Sequence, residues 1–280
     1  MLPQLASFAD AITSHPAATF LDSPVMRRRL LLSEDRLRSG KLVETIYAPF
    51  EHIERGAELV IVGITPGTTQ AEIGLSAARE ALRRGADLPE AARAAKIAAS
   101  FSGRMRENLC GMLDSAGAPG WFGIQTSADL FGIAAHRVHF TSALRNPVFV
   151  DGNNYNGQPA ILSNRRLKLT IEDTLAAEAR TLQNAWWLPL WDVPAAALKH
   201  IVSNGLLAAD RLLPPIPHPS GGNGENIAWF RGTTKATAFS IRRASTGELL
   251  LKRRDAIRAF FASRSNQIVS YAATSSIGAD

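Results

Sequence analysis

Leu59-Val60-Ile61-Val62-Gly63-Ile64-Thr65-Pro66-Gly67 is the stretch whose reading decides the fold. Its leading residues are continuously apolar and too few for an amphipathic helix, so they read as a fully buried strand of a parallel sheet ending in a Pro/Gly turn. A second apolar run, Leu212-Leu213-Pro214-Pro215-Ile216, stands before Pro217-His218-Pro219-Ser220-Gly221-Gly222 much later in the chain. If the two runs are neighbouring strands, Thr65 and His218 emerge at their carboxyl ends, where open α/β sheets place a ligand crevice.

Outward from that stretch, residues 1–55 mix apolar and charged side chains at helical spacing, and Arg27-Arg28-Arg29 leads into Leu30-Leu31-Leu32, which predicts a helical amino-terminal part. Residues 71–82 and 89–100 are rich in alanine and punctuated by Arg79, Arg93 and Lys96, the pattern of short helices with a solvated basic face. Asp151-Gly152-Asn153-Asn154-Tyr155-Asn156-Gly157 is dense in turn formers and reads as a loop. A terminal helix is expected over 253–263 and a loose tail over 264–280. The expected architecture is one α/β domain over 1–263, a mainly parallel twisted sheet of about four strands flanked by helices.

Composition permits this. With 280 residues and 46% hydrophobic content the chain can bury one large core. A net charge of +6 and a pI near 9.9 suit a polyanionic partner such as DNA, though ordinary basic proteins share them. No apolar stretch approaches the roughly 20 residues that span a bilayer. Asp10, His15 and Asp22 stand where a secretory leader would be basic and then apolar. A soluble, cytoplasmic monomer with no membrane partner is therefore expected. Cys110 is the single cysteine, which excludes an intrachain disulfide and the four thiolates of an iron-sulfur cluster; neither a metal nor another cofactor is expected.

Three further segments complete a pattern: Phe101-Ser102-Gly103-Arg104, then Val138-His139-Phe140-Thr141-Ser142-Ala143-Leu144-Arg145-Asn146-Pro147, then Trp187-Leu188-Pro189-Leu190 followed by Val193-Pro194-Ala195. In this order, over residues 55–235, the chain resembles the uracil-DNA glycosylase superfamily. That family has a Gly-x-x-Pro-Gly-like turn after its first strand and a His-Pro-Ser loop after its fourth. The resemblance implies a three-layer sandwich and a monofunctional DNA glycosylase that flips a pyrimidine out of DNA and hydrolyses its N-glycosidic bond, in base-excision repair or in antiviral defence.

The resemblance also assigns roles. His218 would hydrogen-bond the departing base, Phe101 would stack on it, and Gly63, Ile64, Pro66 and Gly67 would bring backbone N–H groups close to base or water. Ser220, Gly221, Gly222 and Asn223 are similar in position to the family's minor-groove loop. Arg104 and Arg145 are placed to reach the DNA backbone, and Asn146 to border the base. Two positions depart from the family. Thr65 stands where many members have an Asp or Asn that polarises water, so Glu72 or Asp151 is needed to supply a carboxylate. Ser142 replaces the base-reading Asn of the second strand. A hydroxyl there admits a bulkier modified pyrimidine, such as a phage-modified cytosine, with Asn154 and Tyr155 beside its substituent. A catalytically inactive nucleic-acid or nucleotide-binding protein of the same fold is the alternative.

Overall fold

A computed structural model describes residues 4–16, 18–233 and 244–275. The amino-terminal part opens with two short helices, α1 (Ala9–Ser14) and α2 (Pro24–Arg29), and then departs from the helical expectation. β1 (Leu31–Arg36) and β2 (Leu42–Ile46) form an antiparallel hairpin. Turn chemistry explains the departure. Gly40 adopts φ of 84°, a left-handed conformation that glycine takes without strain, and Leu37 N donates to Lys41 O at 2.8 Å to close the loop. The β-branched Val43, Thr45 and Ile46 then favour an extended chain over the helical spacing of the leucines.

The quoted stretch forms β3 (Leu59–Gly63), buried along its whole length. Helices α3 (Thr68–Arg83), α4 (Leu88–Ala99), α5 (Arg104–Ala116) and α6 (Ala118–Phe122) lead to β4 (Val138–Ser142), which pairs parallel to β3 with Gly63 opposite Ser142. The chain turns at Pro147 into β5 (Val148–Val150) and β6 (Asn153–Asn154). These extend the hairpin, so the second sheet runs β1-β2-β5-β6 and is antiparallel. After α7 (Arg165–Thr170), a π turn over Ile171–Leu175 and α8 (Ala176–Thr181), β7 (Trp186–Pro189) joins β3 on its other edge. The expected single, mainly parallel sheet is thus a three-stranded parallel sheet, β4-β3-β7, beside an antiparallel one.

Leu212–Ile216 does run parallel to β7, but only through isolated bridges at Trp187 with Leu212 and Leu190 with Ile216. Pro214, Pro215 and Pro217 have no N–H to donate, so a continuous ladder cannot form. Alternation along β3 sends Val60 and Val62 into a core with α7 to α9, where α9 is Asp192–Ser203; Leu59 and Ile61 go into a core with α5, α10 (Gly224–Arg231) and α11 (Ala244–Ser275). The last helix is longer than the expected 253–263 and occupies most of the expected tail, because no Gly or Pro interrupts residues 248–277. Residues 276–280 of that tail lie outside the described residues. Among the described residues no helix is long and apolar enough to cross a membrane.

Candidate functional site

The carboxyl ends of β3 and β4 meet the turn before α5, and the three create a cleft. Phe101 lies over β3, because a Cβ built on Gly63 would sit 3.5 Å from its ring and 3.4 Å from Ser142 Oγ. Ring, hydroxyl and strand thus lie within ordinary van der Waals reach of one another at Gly63. The cleft is lined by Pro66, Lys96, Phe101, Thr141, Ser142 and Arg145 among others. Phe101 has φ of 49°, a strained conformation for a bulky residue. Its ring is braced edge-on by Phe140, 5.8 Å between centroids, and Phe140 in turn stacks on Phe131 at 4.3 Å.

His218 stands farther along the same sheet edge, beyond β7, and is not among the cleft-lining residues. Its loop is fastened to the helix that follows Phe101, since Asn108 Nδ2 donates to Pro219 O at 2.9 Å. Ser220 N donates to His218 Nδ1 at 3.3 Å. In the neutral ring the proton then resides on Nε2, which leaves Nε2–H as an available donor. Burial keeps the ring neutral by pushing its pKa down to about 4. Next to this loop Trp191 adopts φ of 79° and ψ of −173°, a region nearly restricted to glycine, and donates its N–H to Ile216 O at 2.7 Å. Two strained aromatic residues at one end of one sheet mark it as a place where the surroundings dictate conformation.

The three candidates for positioning water are all engaged elsewhere. Thr65 Oγ1 donates to Asn146 O at 3.0 Å and accepts from Val148 N at 3.1 Å, so it pins the crossing from β4 to β5. Glu72 accepts from Phe20 N and Leu21 N at distances down to 2.6 Å and so faces the amino-terminal segment. Asp151 lies in the tight turn between β5 and β6, where its Oδ1 accepts from Leu42 N at 2.8 Å. Glu72→Ala is accordingly expected to cost about 1–3 kcal/mol of stability, the penalty for stranding amides hydrogen-bonded to a charged group. Urea denaturation would check this, and a loss below about 0.5 kcal/mol would refute the anchoring role.

Other expected site residues divide similarly. Asn154 Oδ1 accepts from Thr68 N at 3.0 Å, which caps α3, and Gly67 N donates to Gln70 Oε1 at 3.1 Å, so these amides do not face a ligand. Ile64 O accepts from Leu144 N at 3.0 Å. Tyr155 is buried in the core and donates to Pro159 O at 2.6 Å, away from the cleft. Asn146 is buried, and its Oδ1 accepts from Ala48 N at 3.4 Å. Gly221 and Gly222 are exposed with open space around them, Asn223 Nδ2 donates to Ser220 Oγ at 3.2 Å, and Arg104 is exposed.

Arg145 and Lys96 correct the expectation of surface roles. Arg145 donates through Nε and Nη2 to Glu178 Oε1 at 3.0 and 2.8 Å, and through Nη2 to Thr174 O in the π turn at 3.2 Å. Lys96 is buried, and its Nζ donates to Phe50 O at 3.2 Å and His52 O at 2.7 Å. Burial, against the pull of Glu178, draws the Lys96 pKa down to about 8. Burial opposes ionisation of Glu178, but Arg145 and Lys96 outweigh it and hold its carboxyl well below the usual carboxylate range. His139 accepts from Glu54 N at Nδ1, 3.3 Å, and its Nε2 lies 3.4 Å from Glu178 Oε2. Burial, with Lys96 beside it, lowers the His139 pKa to about 4. This network under the cleft had no signature in the sequence, because its members come from α4, β4, the segment between β4 and β5, and α8.

The chain is 38% identical over 226 residues to the uncharacterized protein YoxB of Bacillus subtilis (strain 168), an alignment covering 80% of this chain and 88% of YoxB. It belongs to the same family as YoxB. No family model matches the sequence, and no solved structure matches it.

Proposed function

We propose that this member of the YoxB family is a DNA glycosylase of the uracil-DNA glycosylase superfamily type, acting on a pyrimidine or a modified pyrimidine. One observation carries the reading: Gly63, Pro66, Phe101, Ser142 and the His218 loop, distant in sequence and in the order that the resemblance implies, gather at the carboxyl edge of one parallel sheet. In the reaction the C1′–N1 bond breaks with its electron pair retained by the base, water forms the new C1′–O bond, and the base takes the proton that water releases. His218 Nε2–H is the donor suited to the base oxygen as charge accumulates there, and Phe101 is the ring on which the extruded base stacks. Within this reading the Ser220–Asn223 loop faces the duplex, with exposed glycines that let backbone amides approach phosphates.

A second reading is favoured by the engagement of Thr65, Glu72 and Asp151. With no spare carboxylate among these candidates, the same site suits a nucleic-acid or nucleotide-binding protein that does not turn over. One experiment separates the two. The protein is incubated with duplex and single-stranded DNA carrying uracil, other deaminated bases or bulky modified cytosines, and abasic sites are then cut with alkali. Cleavage at a modified base supports the glycosylase; tight binding without cleavage supports the non-hydrolytic protein.

A further inference from the structure

A second cavity shares no residue with the Phe101 cleft. It opens between the β1-β2 hairpin and a wall made by α7 and the π turn, and its volume of about 650 Å³ lies within the roughly 300–1,000 Å³ of small-molecule sites. Ser33 and Thr45 line it as partners across the hairpin, and Asp35 follows on the same face of β1. Asn146 lines it from the segment between β4 and β5. Thr45 is 6% exposed and Asn146 5%. Asn146 Oδ1 accepts from Ala48 N at 3.4 Å, whereas its Nδ2 and the Thr45 hydroxyl have no hydrogen-bond partner among the described residues. Nearly enclosed polar groups without a partner are costly, so this floor calls for a polar occupant.

Four charged side chains stand around that floor: Asp35 from β1, Arg165 and Arg166 from the first turn of α7, and Asp173 from the π turn. None of them forms an ion pair with a described residue, and the one side-chain contact among them is from Asn164 Nδ2 to Asp35 Oδ2 at 3.5 Å. The two guanidinium forks are thus available to an anion, and the two carboxylates, which only accept, are available to donors. A bare anion would satisfy the arginines but be repelled by Asp35 and Asp173. An apolar ligand would strand Asn146 and Thr45. No aromatic side chain lines the cavity, so a nucleobase has no ring to stack on. A phosphate joined to several hydroxyls answers both sets of groups. We propose that this cavity binds a phosphorylated sugar, its phosphate on Arg165 and Arg166 and its hydroxyls on Asp35, Asp173, Thr45 and Asn146. The π turn in the wall is a helix irregularity of the kind that recurs at functional sites. The inference does not depend on the glycosylase reading.

The test uses the full chain. Ribose 5-phosphate, ribose, inorganic phosphate and glutamate are titrated separately by calorimetry and protein-observed NMR. Ribose 5-phosphate is expected to bind at least about tenfold more tightly than ribose or phosphate alone, with shifts centred on β1 and α7. Arg165 and Arg166 are exposed, so the double variant Arg165→Ala, Arg166→Ala should fold as the parent does. It should lose at least about tenfold in affinity for ribose 5-phosphate and bind ribose unchanged. The double variant Asp35→Asn, Asp173→Asn should bind ribose 5-phosphate several-fold more weakly and inorganic phosphate no more weakly, which separates recognition of hydroxyls from attraction of charge. Phosphate bound as tightly as ribose 5-phosphate would reveal a merely basic surface, and a preference for glutamate would reveal a zwitterion site; either overturns the sugar phosphate. Absence of saturable binding, or an affinity that both double variants leave unmoved, overturns the site itself.

Discussion

Replacing Glu178 by alanine should destabilise the folded protein by about 3–5 kcal/mol, the range for removing one partner from a buried ion pair. The carboxylate is 1% exposed and is the buried anion facing both Arg145 and Lys96. Without it two cations remain in a water-poor interior. Arg145 cannot relieve the cost by losing its proton, whereas Lys96 can. The sign of the pH dependence follows. The Lys96 pKa is already depressed to about 8 in the fold, and loss of Glu178 depresses it further, so the variant binds this proton less tightly than the parent. Its deficit should therefore be larger near pH 6 and shrink as pH rises toward and through 8. Urea denaturation at both ends of that range reads the effect, and a loss under about 1 kcal/mol at pH 6 would show that the carboxylate does not hold the network together. The double variant Arg145→Met, Glu178→Gln should recover much of the loss, since it removes one charge of each sign.

Each element was legible in the sequence to the extent that its residues had one local signal. The run Leu59-Val60-Ile61-Val62 was legible because a short, continuously apolar strand has few alternatives, and it is β3, the centre of the parallel sheet. The alanine-rich helices were legible by propensity and appear as α3 and α4. The hairpin β1-β2 was not, because Leu and Glu populate helices readily and only Gly40 marked the turn. Leu212–Ile216 does not complete a fourth parallel strand, for a reason also written in the chain, namely three prolines that cannot donate.

The site divides along a different line. Backbone features such as the Thr65-Pro66-Gly67 turn after β3 carried their own signal, because Pro and Gly punctuate an apolar run. Side-chain roles did not. Glu72 and Asp151 looked available in sequence because nothing local occupies them; their partners, Phe20, Leu21 and Leu42, come from distant segments. Lys96 looked like a surface charge on a basic helix face, yet α4 turns that residue inward under the cleft. Only tertiary contact separates a solvated lysine from a buried one.

His218→Ala should lower the single-turnover excision rate by about 2–4 kcal/mol of barrier, the range for losing one preorganised donor to developing negative charge. Affinity for DNA should change little, because the loop glycines and the exposed Arg104, not the imidazole, meet the phosphates in this reading. The pH profile discriminates the mechanism further. With its pKa down to about 4, His218 is neutral from pH 5 upward and donates through Nε2–H throughout, so the rate should not fall as pH rises through 6.5. A site that needed an imidazolium would lose activity there. The depressed pKa has a structural consequence of the same sign: the unfolded ring takes up a proton below about 6.5 and the folded one only near 4, so stability declines as pH falls across that window. Rates must be read above it. A variant that excises as fast as the parent, or a parent whose rate falls tenfold between pH 6 and 8 with a single ionisation lost on His218 replacement, would remove the neutral donor from the mechanism.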